Sequence, residues 1–272
     1  MDKKWIFESE LALRAASTSA DMIEERFVED IIFRTKGSPR DLVTELDIAV
    51  EKHISGILKD TGYQIIGEET INSEKLNIDP QQPTWFVDPI DGTTNLISSL
   101  PFYATSIGLV ANFKFIIGVV AMPALKEIFF TMGNQGSFAN SKALEVHPAE
   151  LNNSLIAVSF SSSYQDEIKR KKEYEFLGML NDKTRGCLRL GSAATNICYV
   201  AAGHFQVAYG ICNKIWDVAG AIAIALQSGA KVYIDWIAGT TQVSYVVGAA
   251  GGADEIARVL NESKLASLKL IT

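Results

Sequence analysis

Two aspartates, Asp88 and Asp91, close an apolar run in the stretch WFVDPIDGTTN at positions 85–95. A strand that ends on acid projects its carboxylate from a sheet edge into a cleft. Pro89 has no N–H to give a ladder, which predicts that sheet pairing stops there. Gly92 permits a tight bend. Thr93 and Thr94 then open a short helical segment, whose free amides and positive dipole end suit a phosphate. Adjacent carboxylates repel unless they are protonated or bridged by a cation. A hard divalent ion such as magnesium answers that need, because it takes oxygen ligands and links carboxylate to substrate phosphate. The plainer reading is a surface turn, since Asp-Pro, Asp-Gly and Thr-Asn are all common in turns.

Further acids stand at comparable places. Glu68 and Glu69 close a second apolar run, YQIIG, although a solvated turn explains them equally. Asp217 follows Trp216 and opens the apolar segment VAGAIAIAL, where a helix N-cap is the default reading. Asp41 and Asp47 flank LVTEL, and Asp41 reads as a plain cap of the next helix. Other chemistries lack their residues. Cys187, Cys198 and Cys212 form no C-x-x-C pair and read as reduced structural thiols. His53, His147 and His204 are scattered, which argues against zinc, and no G-x-S-x-G elbow occurs.

The elements that must position these acids alternate between helical and extended patterns. Helical spacing covers residues 5–33 and 44–58, with a break at Gly37-Ser38-Pro39. YQIIGEE and TWFVDP read as short buried strands. Residues 104–132 read as a run of strands turning at Asn112 and Pro123, followed by a polar loop at 133–140 and a strand at LIAVSF. Helices near 167–180 and 192–202 alternate with strands at QVAYG and AKVYI, and 218–226 reads as a buried helix. The pattern predicts an α/β protein, α+β in its N-terminal half and α/β in its C-terminal half. Residues 1–145 and 146–272 form its two sub-regions within one compact unit.

In this order the residues resemble the inositol monophosphatase family of magnesium-dependent, lithium-sensitive phosphatases. The family pattern is an aspartate, then E-E, then D-P-[IL]-D-G-T, then W-D followed after eleven residues by a glycine pair. Here it reads as Asp41 or Asp47 in DLVTELD, Glu68-Glu69, DPIDGTT at 88–94, and Trp216-Asp217. The resemblance implies a layered αβαβα sandwich and two or three magnesium ions. Asp88 is implied as the bridging carboxylate, with Glu68 and the carbonyl of Ile90 on the first metal and Asp91 and Asp217 on the second. Thr93 is implied to orient the attacking water with Asp41 as its partner. Gly92, Thr93 and Thr94 are implied to meet the phosphate, and Gly191, Ser192 and Ala193 in LRLGSAATN the organic part of the substrate. The implied reaction is hydrolysis of inositol 1-phosphate or a related sugar phosphate by activated water, without a phosphoenzyme.

The departures bear on substrate and role. Gly210, in VAYGICNKIWD, stands where inositol-specific members carry a glutamate that binds sugar hydroxyls, and Gly229-Ala230 replaces the glycine pair. NKIWD resembles members acting on 3'-phosphoadenosine 5'-phosphate, while GSAATN resembles the inositol phosphatases. An accessory factor of the transcription machinery is the alternative of another class. The expected partner is a small phosphorylated molecule and, by resemblance, a second copy of the chain. A net charge of −7 over 272 residues argues against a nucleic-acid surface. Without an apolar leader or a run long enough for a bilayer, the expected compartment is the cytoplasm. SYVVGAAGGADEIARVL imitates a dinucleotide-binding turn, but Ala250 and Ala253 occupy two of its glycine positions. The end of the chain at Thr272 leaves no expected room for a second strand of that unit. KRKKE at 169–173 reads as a solvated helix face.

Overall fold

The computed structural model describes residues 5–26, 32–35, 42–71, 76, 78, 82–160, 166–237 and 239–272. In chain order, α1 (Ile6–Arg26) is followed by a two-stranded ribbon of β1 (Phe33–Thr35) and β2 (Leu42–Thr44), and by α2 (Glu45–Leu58). Next come β3 (Gln64–Gly67), β4 (Thr84–Asp91), α3 (Thr93–Ile97), β5 (Ala104–Ala111) and β6 (Lys114–Met122). Then follow β7 (Glu127–Thr131), β8 (Ser137–Ala139) and β9 (Lys142–Ala143). The remainder runs β10 (Leu155–Phe160), α4 (Glu167–Lys183), β11 (Gly186–Leu188), α5 (Ala193–Ala201), β12 (Val207–Lys214) and α6 (Ile215–Gln227). It closes with β13 (Lys231–Trp236), β14 (Gln242–Gly248), α7 (Gly252–Glu262) and β15 (Lys269–Ile271).

Strands β3 to β9 form one sheet in sequence order, and β11-β10-β12-β14-β13-β15 form the other. Three apolar cores alternate with these sheets. Trp85 and Val87 of β4 pack with α1 and α2, whereas Phe86, on the opposite face, packs with α5 and α6. Ile156 and Val158 of β10 pack with α4 and α7, whereas Ala157 joins α5 and α6. The layers are therefore helix pair, sheet, helix pair, sheet, helix pair, the sandwich that the resemblance implies. Because β4 is covered on both faces, its run is continuously apolar rather than alternating.

The central layer is pressed unusually close to the first sheet. A Cβ at Gly118 would lie 1.9 Å from the carbonyl oxygen of Gly220, and one at Gly108 2.5 Å from the Gly220 nitrogen. Reciprocally, a Cβ at Gly220 would lie 2.6 Å from the carbonyl oxygen of Ile107. Three glycines thus let α6 touch β5 and β6 backbone to backbone. That contact carries the first turn of α6, with Asp217, toward the end of β4.

Several sequence expectations need correction. Phe33, predicted as helix, begins β1, and residues 27–31 lie outside the described region. The polar loop at 133–140 contains β8. Pairing does not stop at Pro89: the ladder joins Asp88 to Ser106, skips, and resumes at Asp91 with Ala104. A bulge absorbs the missing N–H, and the Pro89 carbonyl accepts from the Thr105 hydroxyl at 2.8 Å instead. A strand does follow α7, since β15 pairs antiparallel with β13 and so runs parallel to β14. Within KRKKE, Glu173 is buried, and the remaining side chains are exposed or half-buried.

Candidate metal and phosphate site

In a regular strand, residues three apart point to opposite faces. The bulge at Pro89 and Ile90 adds one position, so Asp88 and Asp91 share a face and feel each other's charge. The Ile90 N–H donates to Asp88 Oδ1 at 3.0 Å, which fixes that carboxylate. Gly92, with φ +96, then turns the chain into α3. A Cβ there would stand 2.9 Å from the Phe102 carbonyl, so the turn needs glycine both for its dihedral and for its space.

Asp217 arrives from the other side. It is the third residue of α6, not its N-cap, and its Oδ2 accepts the N–H of the capping residue Lys214 at 3.2 Å. The default cap reading was therefore near the truth, but it accounts for only one oxygen. Carboxylate oxygens from Glu68, Asp88 and Asp217 all lie within 4.8 Å of one another. Asp91 is held beside them, its Oδ2 accepting from the Ser192 hydroxyl at 2.8 Å and from the Ala194 N–H at 2.6 Å. The first turn of α5 thus caps a carboxylate on a distant strand.

The electrostatics of this group are unfavourable in the absence of a cation. Burial, then the charges of Glu68, Asp91 and Asp217, hold the Asp88 carboxyl well above the usual range. Burial also raises Asp217, with Asp91 and Glu68 adding to it. Asp91 is pushed up to about 7 by burial, against the lowering effect of Ala194 and Ser192. Among the described residues, no lysine, arginine or histidine forms an ion pair with Asp88, Asp91 or Asp217. An all-oxygen, multiply anionic, buried to half-buried donor set fits a hard divalent ion.

Thr93 sits at the first position of α3, its hydroxyl 3.0 Å from the Ile90 carbonyl and 3.2 Å from Asp47 Oδ1. The acid that meets Thr93 is therefore Asp47, while Asp41 lies outside the described residues. Asp47 divides its oxygens: Oδ2 accepts the Thr44 N–H at 2.8 Å, closing a capping box at the start of α2, and Oδ1 faces Thr93. Burial raises the Asp47 carboxyl, opposed by its bonds to Thr44.

Gly191, at φ +93, is exposed, whereas Ser192 and Ala193 are buried. The Ser192 hydroxyl serves Asp91 and the Thr195 N–H. Sequence reading missed Asn95, whose amide donates to the carbonyls of Phe102 at 2.5 Å and Leu190 at 2.7 Å, tying the Gly92 turn to the Gly191 turn. Its only sequence signal was its place inside DGTTN. At Gly210 a Cβ would lie 2.1 Å from Asn213 Oδ1 and 2.6 Å from the Tyr245 ring. The Asn213 carboxamide fills the space that a glutamate at 210 would enter.

A sequence model of the Inositol monophosphatase family matches residues 8–264. The chain belongs to that family. Inositol monophosphatase 1 of Bos taurus is 33% identical over 232 residues, covering 84% of each chain. Inositol monophosphatase 3 of Solanum lycopersicum is 34% identical over 228 residues, covering 82% of this chain and 84% of the relative. Among solved structures, SuhB of Mycobacterium tuberculosis superposes with a TM-score of 0.77 at 26% identity, covering 96% of this chain and 98% of that one. A Thermotoga maritima IMPase superposes with a TM-score of 0.79 at 24% identity over 96% of this chain and all (100%) of that one, which speaks for the fold. As a member of the inositol monophosphatase family, the protein is a phosphoric monoester hydrolase of the metal-dependent, sugar-phosphate type. No helix among the described residues is long and apolar enough to cross a membrane.

Proposed function

We propose that the protein hydrolyses inositol 1-phosphate or a related sugar phosphate, with magnesium held by Glu68, Asp88, Asp91, Asp217 and the carbonyl of Ile90. The observation that carries this reading is the convergence of oxygens from Glu68, Asp88 and Asp217 within 4.8 Å, with Asp91 alongside. Bound magnesium supplies the positive charge that phosphoryl transfer to water requires and acidifies the attacking water. The remaining steps belong to the chain. Thr93, its hydroxyl hydrogen directed at Asp47, turns a lone pair outward to accept a hydrogen bond from that water and fix its direction of attack. The amides of Thr93 and Thr94 open α3 and meet the phosphate oxygens, with Gly92 keeping the approach clear. Gly191, exposed beside that turn, faces the organic part of the substrate, while Ser192 and Ala193 act through Asp91.

The surroundings of Gly210 favour a substrate recognised without a carboxylate at that position. Two or three ions, lithium sensitivity and a homodimer complete the reading and rest on the resemblance, while a cytoplasmic setting rests on the sequence reading. The test is phosphate release with magnesium from inositol 1-phosphate, fructose 1,6-bisphosphate and 3'-phosphoadenosine 5'-phosphate, for the wild type and Asp88→Asn. Preferential turnover of either sugar phosphate over the nucleotide, lost in Asp88→Asn without change in the circular dichroism spectrum, supports it. Equal magnesium-dependent rates in the two proteins refute the mechanism. A flat, low profile over all three substrates refutes the substrate assignment.

A further inference from the structure

Glu51 has no place in the chemistry above, yet it is a carboxylate buried to 1% exposure, one turn beyond the equally buried Asp47 on the same face of α2. Its target is the turn that carries Glu68. After β3, the chain folds into a single helical turn in which the Ile71 N–H reaches the Gly67 carbonyl at 3.1 Å. The opening of such a turn leaves its first amides without partners inside it. The Glu68 N–H is taken by the Val87 carbonyl of β4 at 3.1 Å. The Glu69 N–H donates to Glu51 Oε2 at 2.7 Å, and the neighbouring Thr70 adds to the field that opposes the rise of the Glu51 carboxyl by burial. A carboxylate on another helix thus does the work of an N-cap. Gly67 makes room for it, because a Cβ there would lie 2.3 Å from Glu51 Cδ.

We infer that Glu51 is a positioning residue for the metal site, clamping the 68–70 turn so that the Glu68 carboxylate is already aimed at Asp88 and Asp217 before any ion arrives. This rests on the magnesium reading of those acids. It makes α2 a common brace, with Asp47 setting Thr93 and Glu51, one turn later, setting the Glu68 turn. Without the clamp, binding an ion must also order the turn, so affinity falls while the loaded geometry is the same. Loss of a partner that orients a metal ligand typically lowers metal affinity about 10–100-fold.

Two measurements on the full chain separate this inference from the phosphatase reading. In metal-free protein, amide hydrogen exchange at Glu69 is slow in the wild type and at least tenfold faster in Glu51→Ala. Glu51→Gln, which keeps an acceptor oxygen, stays within about threefold of the wild type. Calorimetry with magnesium chloride then gives a dissociation constant raised about 10–100-fold in Glu51→Ala and near normal in Glu51→Gln. At saturating magnesium, kcat recovers to within a few-fold. Gly67→Ala, which displaces the same carboxyl without deleting it, gives the same magnesium phenotype and stands in should Glu51→Ala fail to fold. Unchanged exchange in Glu51→Ala, or faster exchange with unchanged magnesium affinity, overturns the inference. If the wild type itself takes up no magnesium, the phosphatase reading falls, and the exchange data still decide whether Glu51 holds the turn.

Discussion

Replacing Asp91 by asparagine should make the metal-free protein more stable at alkaline pH, although it removes a buried, well-bonded side chain. Asp91 is pushed from 3.8 up to about 7, first by burial and then by Glu68. A carboxyl raised in the folded state favours the protonated fold. The unfolded chain releases this proton near pH 4 and the folded chain near pH 7, so stability falls through that window and is level above it. From pH 5 to pH 7 the difference falls from nearly one proton to half a proton, about 2 kcal/mol in all. Asp88 and Asp217 are raised in the same direction and partly by Asp91 itself, so they steepen the fall. Urea unfolding in chelator should show the wild type losing at least this much between pH 5 and pH 8. Asp91→Asn should lose about 2 kcal/mol less, ending as the more stable protein at pH 8. Magnesium should reverse the order: an ion at a hundredfold its dissociation constant adds about 2.7 kcal/mol to the wild type. Equal wild-type midpoints at pH 5 and pH 8 in chelator, or parallel slopes for the two proteins, would refute the reasoning.

Asp47→Asn keeps an acceptor for the start of α2 but weakens the hold on Thr93, so kcat should fall about 100-fold with KM within threefold. Steady-state phosphate release checks this, and an unchanged kcat contradicts the role given to Thr93. Glu173, 3% exposed on α4, is pushed by burial up to about 7, and its Oε1 has no hydrogen-bond partner among the described residues. Its cost to stability is absent at low pH and grows through neutrality. Glu173→Gln should therefore add about 2 kcal/mol at pH 8 and little at pH 5, with magnesium-dependent turnover unchanged, as urea titrations at the two pH values will read.

Much of the site was legible because its parts lie in short, chemically dense stretches. WFVDPIDGTTN announces a buried strand, a bend and a helix start, and the acids of Glu68 and Asp217 close or open apolar runs of their own. What stayed hidden depends on contacts between distant segments. DLVTELD offers two aspartates, and only the fold shows that Asp47, already part of a capping box, turns its second oxygen to Thr93. Asn95 and Glu51 look like ordinary polar residues until their partners at Leu190 and Glu69 are brought to them. Gly108, Gly118 and Gly220 carry no local signal of their role, yet their missing side chains let α6 deliver Asp217. Pro89 was read as the end of a ladder because local rules do not reveal that the strand resumes beyond it. The bulge it occupies is what turns Asp88 and Asp91 to the same side.

The most direct test of the account is a crystal of the wild type soaked in manganese, a scattering stand-in for magnesium, with anomalous difference maps and an Asp88→Asn crystal treated identically. Wild-type density should peak among the carboxylates of Glu68, Asp88, Asp91 and Asp217, each peak about 2.2 Å from an Asp88 oxygen, and Asp88→Asn should lose most of it. A map empty at that position, or equal peaks in the two crystals, would contradict the claim that these acids are gathered to hold a divalent ion.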